Sequence, residues 1–131
     1  MNVAFPAQPV KHDAEPDKEA VLTRAVLRAA DRLGLKGAEL ARIIGVSEPT
    51  VSRMRKGAFV LKESSKEYEL AVLLVRLFRS LDAILGGDEA AMRTWMRAPN
   101  TALDAVPAQR IRQVEGLVDV LAYLDAHRAV V

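Results

Sequence analysis

An all-α protein is what this sequence predicts, and three observations predict it. Apolar residues recur at spacings of three and four along several segments, as on the buried face of a helix. No segment sustains the alternation of apolar and polar residues that a half-buried strand needs. Half of the 131 residues are hydrophobic and only 5% are aromatic, enough apolar material for one compact domain or two small helical modules sharing a core. Two modules are expected: a flexible tail over residues 1–15, a first module over 16–62 and a second over 66–131.

The elements follow in order. Residues 1–15 repeat at neither period and read as a mobile, proline-containing tail. A helix begins near Pro16-Asp17, where proline is tolerated and Asp17 and Glu19 suit the dipole of the first turn. Its inward face is Val21, Leu22, Ala25, Val26, Ala29, Ala30 and Leu33, and Gly34 ends it. A short helix over 37–44 presents Leu40, Ala41 and Ile44, and Gly45 reverses the chain. Ser47 caps a third helix with Pro49 in its first turn and Val51 and Met54 inward, closed by Gly57. After a loop over 59–65 comes a helix over 66–85 that is apolar around much of its circumference, as a helix buried between neighbours would be. Gly86-Gly87 breaks it, and Asp88 caps a helix carrying Met92, Trp95 and Met96, all expected in the core. Ala98-Pro99-Asn100 stops that helix, Pro107 starts another, and the last amphipathic segment places Leu117, Val118, Val120, Leu121 and Leu124 inward and is expected to end after Leu124.

Charge and inventory narrow the function. The formal net charge is only +2, yet residues 18–62 hold ten bases against four acids while the remainder holds nine against thirteen. The first half is therefore suited to a polyanion and the second to something else. The longest strictly apolar run, residues 70–75, is far short of the roughly 18 residues that cross a bilayer, and no signal peptide is read, so no membrane partner is expected. The absence of cysteine removes disulfides, thiolate nucleophiles and cysteine zinc sites, and suits a reducing cytoplasm. His12 and His127 stand alone, with no H-E-x-x-H and no phosphate-binding glycine loop. No intrinsic catalysis, cofactor or metal is expected.

The most informative stretch is residues 37–57, GAELARIIGVSEPTVSRMRKG. Small Ala41 lets two helices approach, Gly45 makes the sharp turn, and Leu40, Ile44, Val46, Val51 and Met54 fill the angle between them. This run resembles the Xre family of repressor-type helix-turn-helix domains. The resemblance implies that the second helix enters the major groove of operator DNA with Ser47, Glu48, Thr50, Ser52 and Arg53 at the base edges. Arg53 suits guanine, Thr50 a thymine methyl or a phosphate, and Glu48 the cytosine amine, while Arg55, Lys56 and Lys62 suit phosphates. The family often has glutamine where Glu48 stands, and an acid there meets repulsive phosphates unless it reads a base.

The second half carries a different order of features: the Gly-Gly break, Trp95, Pro99-Asn100, Leu103, Pro107, Gly116, Val118 and Leu121. Together these resemble the Xre-MbcA-ParS toxin-binding domain of antitoxins, although Asp104-Ala105 stands where small glycines are common. The combined architecture resembles ParS-type antitoxins, which implies as partner a RES-domain toxin that consumes NAD or uses it for ADP-ribosyl transfer. It also implies an antitoxin that represses its own operon. A stand-alone dimeric repressor with a helical dimerisation domain is the alternative. A homodimer accompanies either reading, because paired half-sites about 34 Å apart are the usual route to tight operator binding, and the 70–85 helix is the candidate interface. The toxin-binding residues expected are Tyr123, His127, Arg128, Val130 and Val131. Two placements stay open: the end of the chain enters the toxin's NAD cleft, or it folds back on its own core and the 107–124 region makes the contact.

Overall fold

A computed structural model describes residues 17–130, with side chains as far as Arg128. The expected tail over residues 1–15 with His12, the whole of Val131 and the side chain of Val130 lie outside the described residues. Seven helices and no strand occur among the described residues, arranged as a helix-turn-helix module followed by a C-terminal helical module.

Helix α1, Lys18–Leu33, starts where the Asp17 carboxylate accepts the Glu19 N–H at 2.9 Å. It buries Thr23, Val26, Ala29, Ala30 and Leu33 and ends at Gly34, whose φ of +75° is left-handed. Val21, expected inward, is 42% exposed, because the stripe that meets the core runs through Val26, Ala30 and Leu33 and leaves the first turn of the face uncovered. Helices α2, Gly37–Ile44, and α3, Glu48–Arg55, form the expected pair around Gly45, with Leu40, Ala41, Ile44, Val51 and Met54 buried between them. The following loop is tied to α1 by side chains: the Thr23 hydroxyl donates to the Glu19 carbonyl at 2.7 Å and accepts the Leu61 N–H at 3.0 Å, holding Leu61 in the core.

Helix α4, Lys66–Leu85, packs against α1 and α2 on one side and against α5, Glu89–Arg97, and α7, Val114–Val130, on the other. One contiguous core therefore runs from Val26 through Leu74 and Leu77 to Leu124. Each such leucine removed from water is worth about 2 kcal/mol, so the shared helix ties the stability of the two modules together. In α5 Met92 and Met96 are fully buried, as expected, but Trp95 is only half-buried and packs at the margin of the core. Positions 92, 95 and 96 share one helical face, but Met92 and Met96 lie about 40° apart at its centre and Trp95 lies to one side, at its edge.

The proline-started helix is the single turn α6, Pro107–Arg110, and a new helix, α7, begins at Val114. Contrary to expectation α7 does not stop after Leu124 but continues to Val130, because Asp125 is held from α4: it accepts the Ser80 hydroxyl at 2.6 Å and pairs with Arg76 at 3.5 Å. Val118, expected inward, is 46% exposed, and Leu117, Val120, Leu121 and Leu124 form the buried stripe in its place. Gly116 explains how α6 and α7 fold onto each other. A Cβ built there would lie 2.0 Å from the Arg110 carbonyl oxygen, so only glycine admits that backbone.

Gly116→Ala tests this contact by its sign. In an exposed helix the change would stabilise by about 1 kcal/mol through helix propensity. Here it is expected to destabilise by about 2 kcal/mol or more, through displacement of a backbone carbonyl that has no flexible end to yield. Urea denaturation followed by circular dichroism reads the difference, and a gain in stability would refute the close approach.

Candidate functional site

Helix α3, the second of the helix-turn-helix pair, begins with a small hydrogen-bonded unit. Ser47 Oγ accepts the Thr50 N–H at 3.1 Å and lies 2.8 Å from the Thr50 hydroxyl, which in turn accepts Arg53 Nη2 at 3.0 Å. Thr50 is 9% exposed. It is therefore placed to steer Arg53, with little of its own surface available to a base. Ser47, Glu48, Ser52, Arg53 and Lys56 are exposed, and Glu48, Ser52 and Lys56 follow one another at four-residue intervals along the outer face. Arg55 is turned aside, donating to both carboxylate oxygens of Asp31 at 3.1 and 3.3 Å. That pair is exposed and worth about 0 to 1 kcal/mol, little enough for a phosphate to replace the carboxylate. Lys62, in the loop, is exposed as well.

At the C-terminal end, Tyr123 and His127 form one unit on α7. Their ring centroids are 4.2 Å apart, and His127 Nδ1 lies 2.9 Å from the Tyr123 carbonyl oxygen. Arg128 reaches back to Ser80 Oγ at 3.4 Å, beside the Ser80–Asp125 bond. Tyr123, His127 and Arg128 are thus gathered on consecutive turns of a helix that lies against α4. The apolar side chains Val114 and Val118 stand exposed four residues apart on the same helix. Their residue types favour a core, so nothing in the sequence distinguishes them from the buried valines.

A third constellation left only one local sign in the sequence. Glu39, at the start of α2, accepts Arg97 Nη1 at 2.6 Å and Nη2 at 2.8 Å, and its Oε1 also accepts the Lys36 N–H at 2.9 Å. Arg97 donates further to the Gly34 carbonyl at 2.7 Å, and Arg112 stands 3.8 Å from the same carboxylate. The Arg97 hydrogen bonds hold the Glu39 carboxyl down at about 2, outweighing the opposing effect of its burial, and Arg97 is raised in return. Nearby, Arg93 donates to the Asp31 carbonyl at 2.7 Å, and Arg32 lies over the Phe78 ring while facing Glu89 and Asp82. These contacts join the helix-turn-helix to the second module. The only local sign is that Glu39 follows Lys36 by three, the spacing of a capping acid. Its partner is 58 positions away.

Among the described residues no group of three or more His, Cys, Asp or Glu side chains is placed to hold a metal ion, and no helix is long and apolar enough to cross a membrane. The arrangement offers surfaces for binding. Comparison with known proteins agrees with this division. Residues 12–76 match the model of the antitoxin Xre-like helix-turn-helix domain, and residues 80–129 that of the antitoxin Xre/MbcA/ParS C-terminal toxin-binding domain. Among solved structures, a chain of the M. tuberculosis MbcT–MbcA toxin–antitoxin complex is 28% identical, with a TM-score of 0.63 over 85% of this chain and 96% of that one. No curated protein matches.

The Glu39 cluster makes stability depend on pH with a definite sign. The carboxyl lies at about 2 in the folded chain against an ordinary 4.5, so its contribution is complete above about 4.5 and is lost as the pH falls toward 2. With the carboxylate only 13% exposed, that contribution is of the order of 3 kcal/mol. Glu39→Gln is expected to lower stability at neutral pH by about 2 to 3 kcal/mol and to converge with the original chain at the acid end. Denaturant titrations of both chains between those limits check it. Parallel curves would remove Glu39 as the source.

Proposed function

We propose that this chain, which belongs to the Xre/MbcA/ParS antitoxin family, is a bivalent binding protein: an antitoxin that neutralises a RES-domain, NAD-dependent toxin and represses its own operon. The observation that carries the reading is the union of both modules on one core, with α3 exposed along its outer face and Tyr123, His127 and Arg128 gathered on α7. Nothing in it requires the chain to perform chemistry of its own.

On the DNA side, α3 enters the major groove. Arg53, aimed by Thr50, supplies a planar pair of donors that suits the two acceptors of guanine, and Glu48 accepts from the cytosine amine. Ser47, Ser52, Lys56 and, once released from Asp31, Arg55 meet the backbone. On the toxin side, the last turns of α7 with Tyr123, His127 and Arg128, together with Val130 and Val131, cover the NAD cleft. Arg128 occupies space used by a phosphate or pairs with an acidic catalytic residue, and inhibition is by occlusion.

Two measurements test the halves separately. Arg53→Ala is expected to weaken binding to an operator duplex by about 1 to 3 kcal/mol while leaving a scrambled duplex nearly unchanged, and Lys56→Ala to weaken both alike. Equal affinity of the original chain for both duplexes would remove sequence-specific repression. Deletion of residues 128–131 is expected to abolish inhibition of the toxin's NAD-consuming activity at stoichiometric concentration without unfolding the chain. If the folded, truncated chain still inhibits, the contact lies elsewhere, and if the full chain never inhibits, the stand-alone repressor is the surviving reading.

A further inference from the structure

The C-terminal module carries no excess of base, yet it sets three arginines, Arg93, Arg97 and Arg112, around the turn from α1 into α2. Lys36 and Arg42 of the helix-turn-helix are exposed beside them. Two shallow hollows lie along this band. One, of about 460 Å³, is lined by Arg93, Thr94, Arg97 and Ala98, and the other, of about 150 Å³, by Ala38, Glu39, Arg42 and Arg112. The Glu39–Arg97 pair joins them. Bases outnumber acids along the band: Asp31, already paired with Arg55, Glu39 and Glu89 are the carboxylates that face it. Much of the positive charge is unspent. Arg97 uses three of the five guanidinium donors, two on Glu39 and one on the Gly34 carbonyl, so two remain on an exposed side chain. Arg93 is exposed as well, and Arg112 stands 3.8 Å from Glu39 with its buried Nε lacking an acceptor.

From this band we infer that Arg93, Arg97 and Arg112 of the C-terminal module, with Lys36 and Arg42, form a second DNA contact that grips the phosphate backbone beside the groove entered by α3. The inference rests on the reading of α3 as the groove-entering helix, and it adds residues outside the helix-turn-helix to the interface. When the second helix of such a pair lies in the major groove, the first crosses the backbone. Helix α2 is that first helix, and the band follows it: Lys36 precedes it, Arg42 is exposed one turn after Ala38, and Arg97 is bonded to Glu39 in its first turn. Guanidinium groups suit phosphate oxygens, and here they are strung along a surface, an arrangement that fits a repeating anion better than a single small one. Thr94, exposed between Arg93 and Arg97, adds a neutral donor. With two donors to spare, Arg97 reaches a phosphate without releasing Glu39. Phosphates are alike along a duplex, so this contact is blind to sequence. Arg53 and Glu48 then choose the site, and the band holds the duplex against the protein.

The test is a salt titration of an operator duplex and a scrambled duplex between about 50 and 200 mM. Arg93→Gln and Arg42→Gln each remove one base without touching the Glu39–Arg97 pair, and melting curves confirm that they are folded. Each is expected to weaken both duplexes alike, by about threefold to tenfold at the lower salt. Each is also expected to make the dependence of log affinity on log salt shallower by about 0.9 per bound chain. Ethylation of operator phosphates outside the segment read by α3 is expected to hinder the unaltered chain and to matter less to Arg93→Gln. If Arg93→Gln does not fold, Arg42→Gln, which lies outside the joint, carries the test. Should the folded variants bind as the original does, with the same salt slope, while Arg53→Ala loses the operator preference, the band is no DNA contact although α3 is. An unaltered chain that binds neither duplex overturns the groove reading and this proposal with it. Variants that bind DNA normally but inhibit the toxin less would give the band to the toxin, which also overturns the proposal.

Discussion

Everything in this structure depends on where helix α4 puts its apolar circumference. A helix with a single apolar stripe lies on a surface, but α4 buries Leu70, Ala71, Leu74, Val75, Leu77 and Leu81 and must be covered from two directions. The helix-turn-helix with α1 covers one side, and α5 and α7 cover the other. Neither layer closes the core without α4, so the two modules, distinct in the family models they match, are one body in their packing.

Around that core the joint is polar and made largely of arginine. Glu39 accepts both ends of the Arg97 guanidinium while capping α2, and Arg97 and Arg93 also satisfy carbonyls at the end of α1. A planar guanidinium can serve a carboxylate and a helix C-terminus at once, which an ammonium group cannot do with the same geometry. The start of the first helix of the helix-turn-helix pair is therefore anchored by residues of the C-terminal module. That gives a physical route by which a load on one module is felt in the other.

Two backbone features shape the second module. Gly116 lets the Arg110 carbonyl press against α7, so a four-residue turn folds directly onto the last helix. Between α5 and α6, Asn100 and Ala105 exchange backbone hydrogen bonds at 2.9 and 3.3 Å, and Asp104 takes a left-handed φ of +53° to close the loop. Aspartate is among the few residues that tolerate this region, which accounts for a non-glycine residue where the resembled domains have small ones.

The sequence by itself determined the elements and most of their ends. Asp17, Ser47, Ser65 and Asp88 cap the helices they precede, Gly34, Gly45 and Gly86 stand at left-handed helix ends, and Ala41, Ile44, Val51 and Met54 pack the turn. These are local matters, decided by side-chain oxygens within three residues of the amides they accept and by the φ that only glycine adopts freely. The tertiary structure alone decided what depends on residues far apart in the chain. It turned Val21 and Val118 outward and Trp95 to the margin, because which part of an apolar face is buried is set by the neighbour's width. It carried α7 past Leu124 by catching Asp125 from Ser80, 45 positions earlier. It also assigned the candidate DNA residues unlike tasks, with Arg53 held by Thr50 and Arg55 drawn to Asp31. Helical period states which residues share a face, but the partner that meets the face, and the charge that waits there, come from packing.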